Sequence, residues 1–265
     1  MTQKYDLGIF DSGVGGLSVF KEINILAPDV SVGYFADQIH VPYGSRSMEE
    51  IRKFSSVISR FLIDNGVQVI VVACNTASAA ALHFLRKEFP STSFVGMEPA
   101  IKPAAEKTLS GVVGVLATPA TFQGPLYSSV VERFGRGVTI LQSTCPGLVL
   151  QIEKGEFAST KTRKILEKAL YPMMKKKVDT IVLGCTHYPF VVPLIQNITG
   201  GAVRVIDPAP AVAKQTIKLL EKNFEYSISK RNVPNVFFTS GDKGKFKVIL
   251  SSILGEIVDI QQARW

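Results

Sequence analysis

The sequence predicts an α/β protein built on parallel sheet, and three observations carry that prediction. Short β-branched runs alternate with helical stretches along the chain, the pattern of strands joined by crossover helices. The runs are continuously apolar, as in VIVVA and TIVLG, which marks strands covered on both faces. Two stretches, VQVIVVACNTASAAALHF and VDTIVLGCTHYPFVVPLI, repeat one plan: an apolar run ends at a cysteine, Cys74 or Cys185, then come polar residues and a segment of helical character. Each thiol is therefore expected at the carboxyl end of a strand and the start of a helix. Ligands of open α/β sheets bind at strand carboxyl ends, and a helix N-terminus favours a thiolate.

Taken in order, the strand YDLGIFD runs into DSGVGGLSVFKEI. Asp11 and Ser12 then close the strand, and Gly13, Gly15 and Gly16 lead into a helix. The loop lacks the GxGxxG spacing and the GK[ST] ending of nucleotide cradles. Two readings stay open: glycines that merely permit the turn, and a binding loop whose preceding carboxylate suits a substrate ammonium. The strand VSVGYFAD ends at Asp37, and the turn QIHVPYGS offers Tyr43, Gly44 and Ser45 as contacts for a carboxylate. His40 reads as an ordinary loop histidine. Ser47 and Glu50 form a capping box for a helix over Met48–Asp64.

The strand of Cys74 and a helix through Phe89 follow, then the strand SFVGME, a helix over IKPAAEKTL and the strand GVVGVLAT. Thr118 and Thr121 stand at the next loop, before a helix over TFQGPLYSSVVERF. A short strand, a Cys145–Pro146–Gly147 turn and a helical stretch with Glu153 come next. Cys145 has no apolar run directly ahead of it and reads as a structural or incidental thiol. A helix from Thr160 to Lys176 leads to Cys185, and the strand AVRVID, the helix AVAKQTIKLLEKN and the strand NVFFTSG complete the chain. No low-complexity linker divides it, so if two domains exist the chain crosses between them more than once.

Composition narrows the function classes. The 265 residues suffice for a sizeable core of one or two domains. Three cysteines without CxxC spacing argue against a disulfide framework or a structural zinc site. No signal region opens the chain and no run approaches the ~20 residues of a membrane span, so a soluble cytoplasmic protein is expected. The net charge of +8 is dispersed, and no nucleic-acid signature accompanies it; the densest run, Lys175 to Lys177, reads as a solvated helix end. An acidic small molecule is the more economical partner.

Either cysteine alone is as readily explained as core. Each, however, is followed by side-chain donors: Asn75 and Thr76 in one case, Thr186 and His187 in the other. A single Cys–His pair would suggest a nucleophile, whereas duplication favours two thiols facing one carbon, one removing a proton and the other returning it. A free thiol has a pKa of ~8.5, and a gap on the order of ten units to an amino-acid α-proton amounts to about 14 kcal/mol. Preorganised donors and exclusion of water must supply that difference. An anion- or nucleotide-binding module on the glycine loop and a redox pair of Cys74 and Cys185 remain as alternatives.

The stretches DSGVGGLSV, YFAD, PYGSRS, ACNTASA, GMEPAIKPA, LATPATF and GCTHYPF together resemble the cofactor-independent aspartate/glutamate racemases, glutamate racemase above all. The resemblance runs in order from Asp11 to about Asp207. It implies two pseudo-symmetric three-layer α/β domains, residues 1–97 plus 208–265 and residues 98–207, with the active site in the cleft between them. It implies neither pyridoxal phosphate nor metal, D-glutamate supply for peptidoglycan, and possible dimerisation. By position it implies Cys74 and Cys185 as the proton donors and acceptors, Cys74 on the D-glutamate side and Cys185 on the L-glutamate side. Asp11, Ser12, Tyr43, Gly44, Asn75, Thr76, Thr186 and His187 are implied substrate-binding positions, and Asp37, Ser45, Thr118, Thr121 and Glu153 auxiliary groups. The wording CPGLVLQIEKGE around Glu153 departs from the family's usual CPLFVPLVE. An aspartate-specific enzyme is the neighbouring alternative.

Overall fold

The computed structural model describes residues 5–223, 233–255 and 258–263. The elements run β1 (Leu7–Asp11), α1 (Leu17–Leu26), β2 (Val32–Ala36), α2 (Met48–Asp64), β3 (Val69–Val72), α3 (Asn75–Glu88), β4 (Ser93–Gly96) and α4 (Ile101–Lys107). They continue with β5 (Val112–Ala117), α5 (Pro119–Gln123), α6 (Pro125–Phe134), β6 (Thr139–Ser143), α7 (Leu148–Ile152), α8 (Thr160–Lys175) and β7 (Thr180–Gly184). The last are α9 (Val192–Thr199), β8 (Arg204–Ile206), α10 (Ala209–Asn223), β9 (Val236–Thr239), α11 (Lys243–Leu254) and β10 (Asp259–Gln262).

Two sheets form, ordered β10-β9-β2-β1-β3-β4 and β6-β5-β7-β8, with every pairing parallel. Within the first, β2-β1-β3-β4 has the same order as the whole of the second. In each, the chain leaves the first strand of the unit toward one side and later returns on its other side. The crevice between those two strands at their carboxyl ends is the switch point where α/β sheets bind ligands. It falls between β1 and β3 in one sheet and between β5 and β7 in the other. Asp11 ends β1, Cys74 follows β3, Thr118 follows β5 and Cys185 follows β7.

The unbroken apolar runs are explained by burial on both faces. Val69 and Val71 of β3 face a core shared with Ile181 and Leu183 of β7. Ile70 and Val72 face α2 and α3, and Val182 joins Val113 and Val115 beneath α4 and α6. The capping box opening α2 is present, with Ser47 Oγ accepting from the Glu50 N–H. Departures from the sequence expectation have local causes. TFQGPLYSSVVERF breaks into α5 and α6 at Gly124, just ahead of Pro125 at the start of α6, because the residue before a proline is pushed out of helical backbone. After Cys185 the chain does not enter a helix directly: it makes a 3-10 turn at Tyr188–Val191 before α9. The helix α11 and the edge strand β10 were not anticipated. The α11 stretch KGKFKVILSSIL lacks a sharp amphipathic stripe, and DIQQ alternates too briefly to read as a strand. Among the described residues no helix is long and apolar enough to cross a membrane.

Candidate active site

Cys74 sits where β3 hands over to α3. Its Sγ caps the helix, accepting the Ala77 N–H at 3.5 Å, and the backbone N–H of Ser12 also donates to it. Burial, followed by the nearby Asp11 carboxylate, pushes this thiol far above its ordinary range, so it rests protonated. The next residue is more telling. Asn75 is buried, and among the described residues neither its Oδ1 nor its Nδ2 has a partner. A buried primary amide without partners costs a few kcal/mol in an apolar setting, which makes it a fixed donor and acceptor for a bound polar molecule. Thr76 Oγ1 lies 2.9 Å from Thr118 Oγ1, and Thr118 in turn 3.0 Å from Thr121 Oγ1. This hydroxyl cluster joins the carboxyl ends of the two sheets.

Cys185 follows β7 and is also buried, but its surroundings differ. Its Sγ is 3.9 Å from His187 Nδ1, and His187 Nε2 is 2.6 Å from Glu153 Oε1. Burial would lower the imidazole pKa, but hydrogen bonds with Cys185 and Glu153 and the carboxylates of Asp11 and Glu153 outweigh it and hold the value well above the ordinary one. His187 is therefore an imidazolium whose two nitrogens both donate, one toward the carboxylate and one toward the thiol. Charge at Cys185 adds to the upward push on Cys74, so the two thiols lie within electrostatic reach of one another.

Asp11 ties the two halves of this site together. Its Oδ1 accepts the Gly13 N–H at 2.7 Å, with Ser12 Oγ 3.4 Å away, and its Oδ2 accepts the Thr186 hydroxyl at 2.9 Å. Complete burial raises its pKa, partly offset by His187 and these hydrogen bonds. The glycine loop has an internal occupant, which neither sequence reading of it foresaw. Glu153 Oε1 accepts the Val14 N–H at 2.8 Å, and a Cβ on Gly13 would collide with the Glu153 carboxylate. A Cβ on Gly15 would likewise collide with His187 and Thr186, so the glycines permit close approach by residues from the far half of the chain.

The remaining predicted positions are spread around this centre. Asp37 is fully buried and accepts from Tyr43 Oη at 2.6 Å and Ser240 Oγ at 2.8 Å, with His40 Nδ1 at 2.9 Å. The Tyr43 hydroxyl is thus committed to Asp37. His40 stacks on Phe54 at 3.9 Å between ring centroids, so it is more than an ordinary loop residue. Gly44 lies against Thr118, while Ser45 is exposed with its hydroxyl on the Pro42 carbonyl. A cavity of about 250 Å³ is bordered by Gly44, Ser45, Thr118, Cys145 and Tyr188. Sequence reasoning missed Ser240, which directly follows β9, and Gln38, whose Nε2 donates to Glu153 Oε2 at 3.1 Å. The strand-end rule would have found both. Cys145 is buried beside Tyr188, which donates to its sulfur, and burial pushes its thiol up to about 12.

The fold and site define an α/β enzyme with two buried thiols at paired switch points, and comparison with known proteins gives that class a family. Residues 12–216 match the Asp/Glu/Hydantoin racemase family, and the chain belongs to it. It is 45% identical over 241 residues to a glutamate racemase of Roseiflexus sp. strain RS-1, covering 91% of this chain and 89% of that protein. A glutamate racemase from Francisella tularensis solved in complex with D-glutamate superposes with a TM-score of 0.85 at 28% identity, over 99% of this chain and 98% of that one. An Escherichia coli glutamate racemase solved with L-glutamate and the activator UDP-MurNAc-Ala gives a TM-score of 0.85 at 30% identity, over 97% of each chain.

Proposed function

We propose that the protein interconverts L- and D-glutamate without a cofactor, by proton transfer between two thiols on opposite faces of the α-carbon. The observation that carries this reading is the pair of switch-point thiols with different donors, with the unpartnered Asn75 amide directly after Cys74. In the L-to-D direction the Cys185 thiolate takes the α-proton as the C–H bond breaks. The electron pair passes into the carboxylate, and the Cys74 thiol delivers its proton to the other face. Cys185 ends as thiol and Cys74 as thiolate, the state from which D-glutamate reacts in reverse. The high proton affinity of Cys74 suits the donor role, and His187 sets a positive charge beside Cys185.

Asn75, Thr76 and Thr186 are the polar groups set to bind the substrate carboxylates, and Asp11 faces its ammonium. Ser12 acts through its backbone N–H, and Tyr43, Gly44 and Ser45 shape the loop. Thr118 and Thr121 support Thr76, Asp37 holds Tyr43, and Glu153 orients His187. On this reading the chain forms two domains, residues 1–97 with 208–265 and residues 98–207, and the presence of two separate sheets supports it. Supply of D-glutamate for peptidoglycan in the cytoplasm, by a homodimer, fits the family. The test is circular dichroism of L-glutamate incubated with purified protein and nothing else. The signal should decay to zero, D-glutamate should decay from the opposite sign, and aspartate should react at least about a hundredfold more slowly. Persistent optical activity would refute the reading, and equal turnover of aspartate would replace glutamate specificity with general acidic-amino-acid racemisation.

A further inference from the structure

The interior of the site is poorly charged for its substrate. Asp11 and Asp37 are fully buried and Glu153 nearly so, against the imidazolium of His187. Glutamate carries two carboxylates and one ammonium, and a net anion gains nothing by approaching such a site from bulk water. Attraction has to come from outside the catalytic groups.

An open cavity of about 830 Å³ lies beside α8, with Ser143 and Thr144 at the end of β6 along one wall. Lys161, Lys164 and Lys168 line it, at the spacing that puts side chains on one helix face. Among the described residues no carboxylate lines this cavity, and the single acidic residue of α8, Glu167, pairs with Arg163 at 3.7 Å instead. The cavity shares Thr144 and Pro146 with the smaller one that borders Gly44, Thr118 and Tyr188. The smaller cavity also has no acidic lining among the described residues. The three lysines therefore border the outer of two adjoining depressions, and the inner one is walled by Thr118, whose hydroxyl meets Thr76, and by Tyr188, whose N–H donates to the Cys185 carbonyl.

We propose that Lys161, Lys164 and Lys168 form an anion-capture site at the mouth of the active site, which concentrates the dicarboxylate substrate before it enters. The proposal rests on the glutamate reading above. Capture acts on the encounter and not on the proton transfers, so it affects KM and leaves kcat alone. It is also screened by salt, since the Debye length falls from about 30 Å at 0.01 M to about 3 Å at 1 M.

The experiment compares steady-state racemisation of L-glutamate by wild type, K161Q/K164Q/K168Q, the corresponding triple Lys→Arg variant, and K214Q/K218Q/K222Q. The last removes the same charge from exposed positions on α10. At about 0.01 M ionic strength the α8 Gln variant should raise KM roughly fivefold with kcat within about twofold, and at about 1 M the difference should vanish. The Arg variant and the α10 variant should both match wild type. An unchanged KM in the α8 Gln variant at low salt overturns the proposal. So does an equal rise in the α10 variant, an Arg variant that behaves like the Gln one, or a rise that survives high salt. If wild type itself does not racemise glutamate, the functional reading and the capture site fall together; if it does, these outcomes judge the capture site alone.

Discussion

The two cysteine strand ends look alike in sequence and are served differently in space. Cys74 caps a 14-residue helix and receives backbone N–H groups from Ala77 and Ser12. Cys185 precedes a 3-10 turn, and its donor is an imidazolium held by Glu153. One thiol meets fixed backbone dipoles that do not titrate, and the other faces a titratable side chain. The duplicated unit thus sets a thiol at each of two switch points, while the local backbone decides which donors each receives. Substitutions that treat the two ends alike should therefore have unlike consequences.

The largest effect tests whether both ends are needed. Serine is nearly isosteric with cysteine but a far weaker acid, so C74S and C185S should each lower racemisation by at least about three orders of magnitude. Elimination from a β-substituted analogue needs a single proton abstraction. C74S should still process the L-analogue and C185S the D-analogue, and the opposite pattern would mean the two faces are assigned in reverse. Robust racemisation by either variant would dispose of the two-thiol mechanism.

A smaller effect isolates the titratable donor. E153Q keeps an oxygen for the Val14 N–H but removes the charge beside His187, and kcat/KM should fall about 10- to 100-fold. Elimination through Cys74 should suffer less than elimination through Cys185. The variant should also change stability against pH. The folded His187 pKa is raised above its ordinary ~6.5, so its contribution is complete below that pH and is lost as pH rises through the raised value. Urea unfolding should accordingly show wild type exceeding E153Q at neutral pH, with the gap closing under alkaline conditions. A gap independent of pH would show that Glu153 acts only through packing.

The smallest effect concerns the helix cap. Serine is among the best N-cap residues, so C74S should unfold at the same urea concentration as wild type or a higher one. Among the described residues Cys185 caps no helix and its sulfur faces the donor His187 and no acceptor, so a buried hydroxyl there is unsatisfied and C185S should be less stable than C74S by about 1 kcal/mol. Equal midpoints would erase the structural distinction drawn between the two ends.

What the sequence determined by itself was what near neighbours encode. Apolar runs such as VIVVA and TIVLG gave the buried parallel strands, the glycines after Asp11 gave a turn into a helix, and the repeated strand–cysteine–polar plan gave the two thiols with Asn75, Thr76, Thr186 and His187 beside them. Strand order and the partners that cross the chain were decided only by tertiary structure. Glu153 meets Val14 from 139 residues away and His187 from 34, and no local pattern announces either contact. The same holds for Asp37, joined to Ser240 across 203 residues, and for β10, whose short polar stretch becomes a strand only because β9 offers it an edge. The physical reason is one of range: propensity and periodicity act over a few residues and fix which element forms. The charged groups beside each thiol come from whatever the packed sheets bring to the switch points, and packing depends on the whole chain.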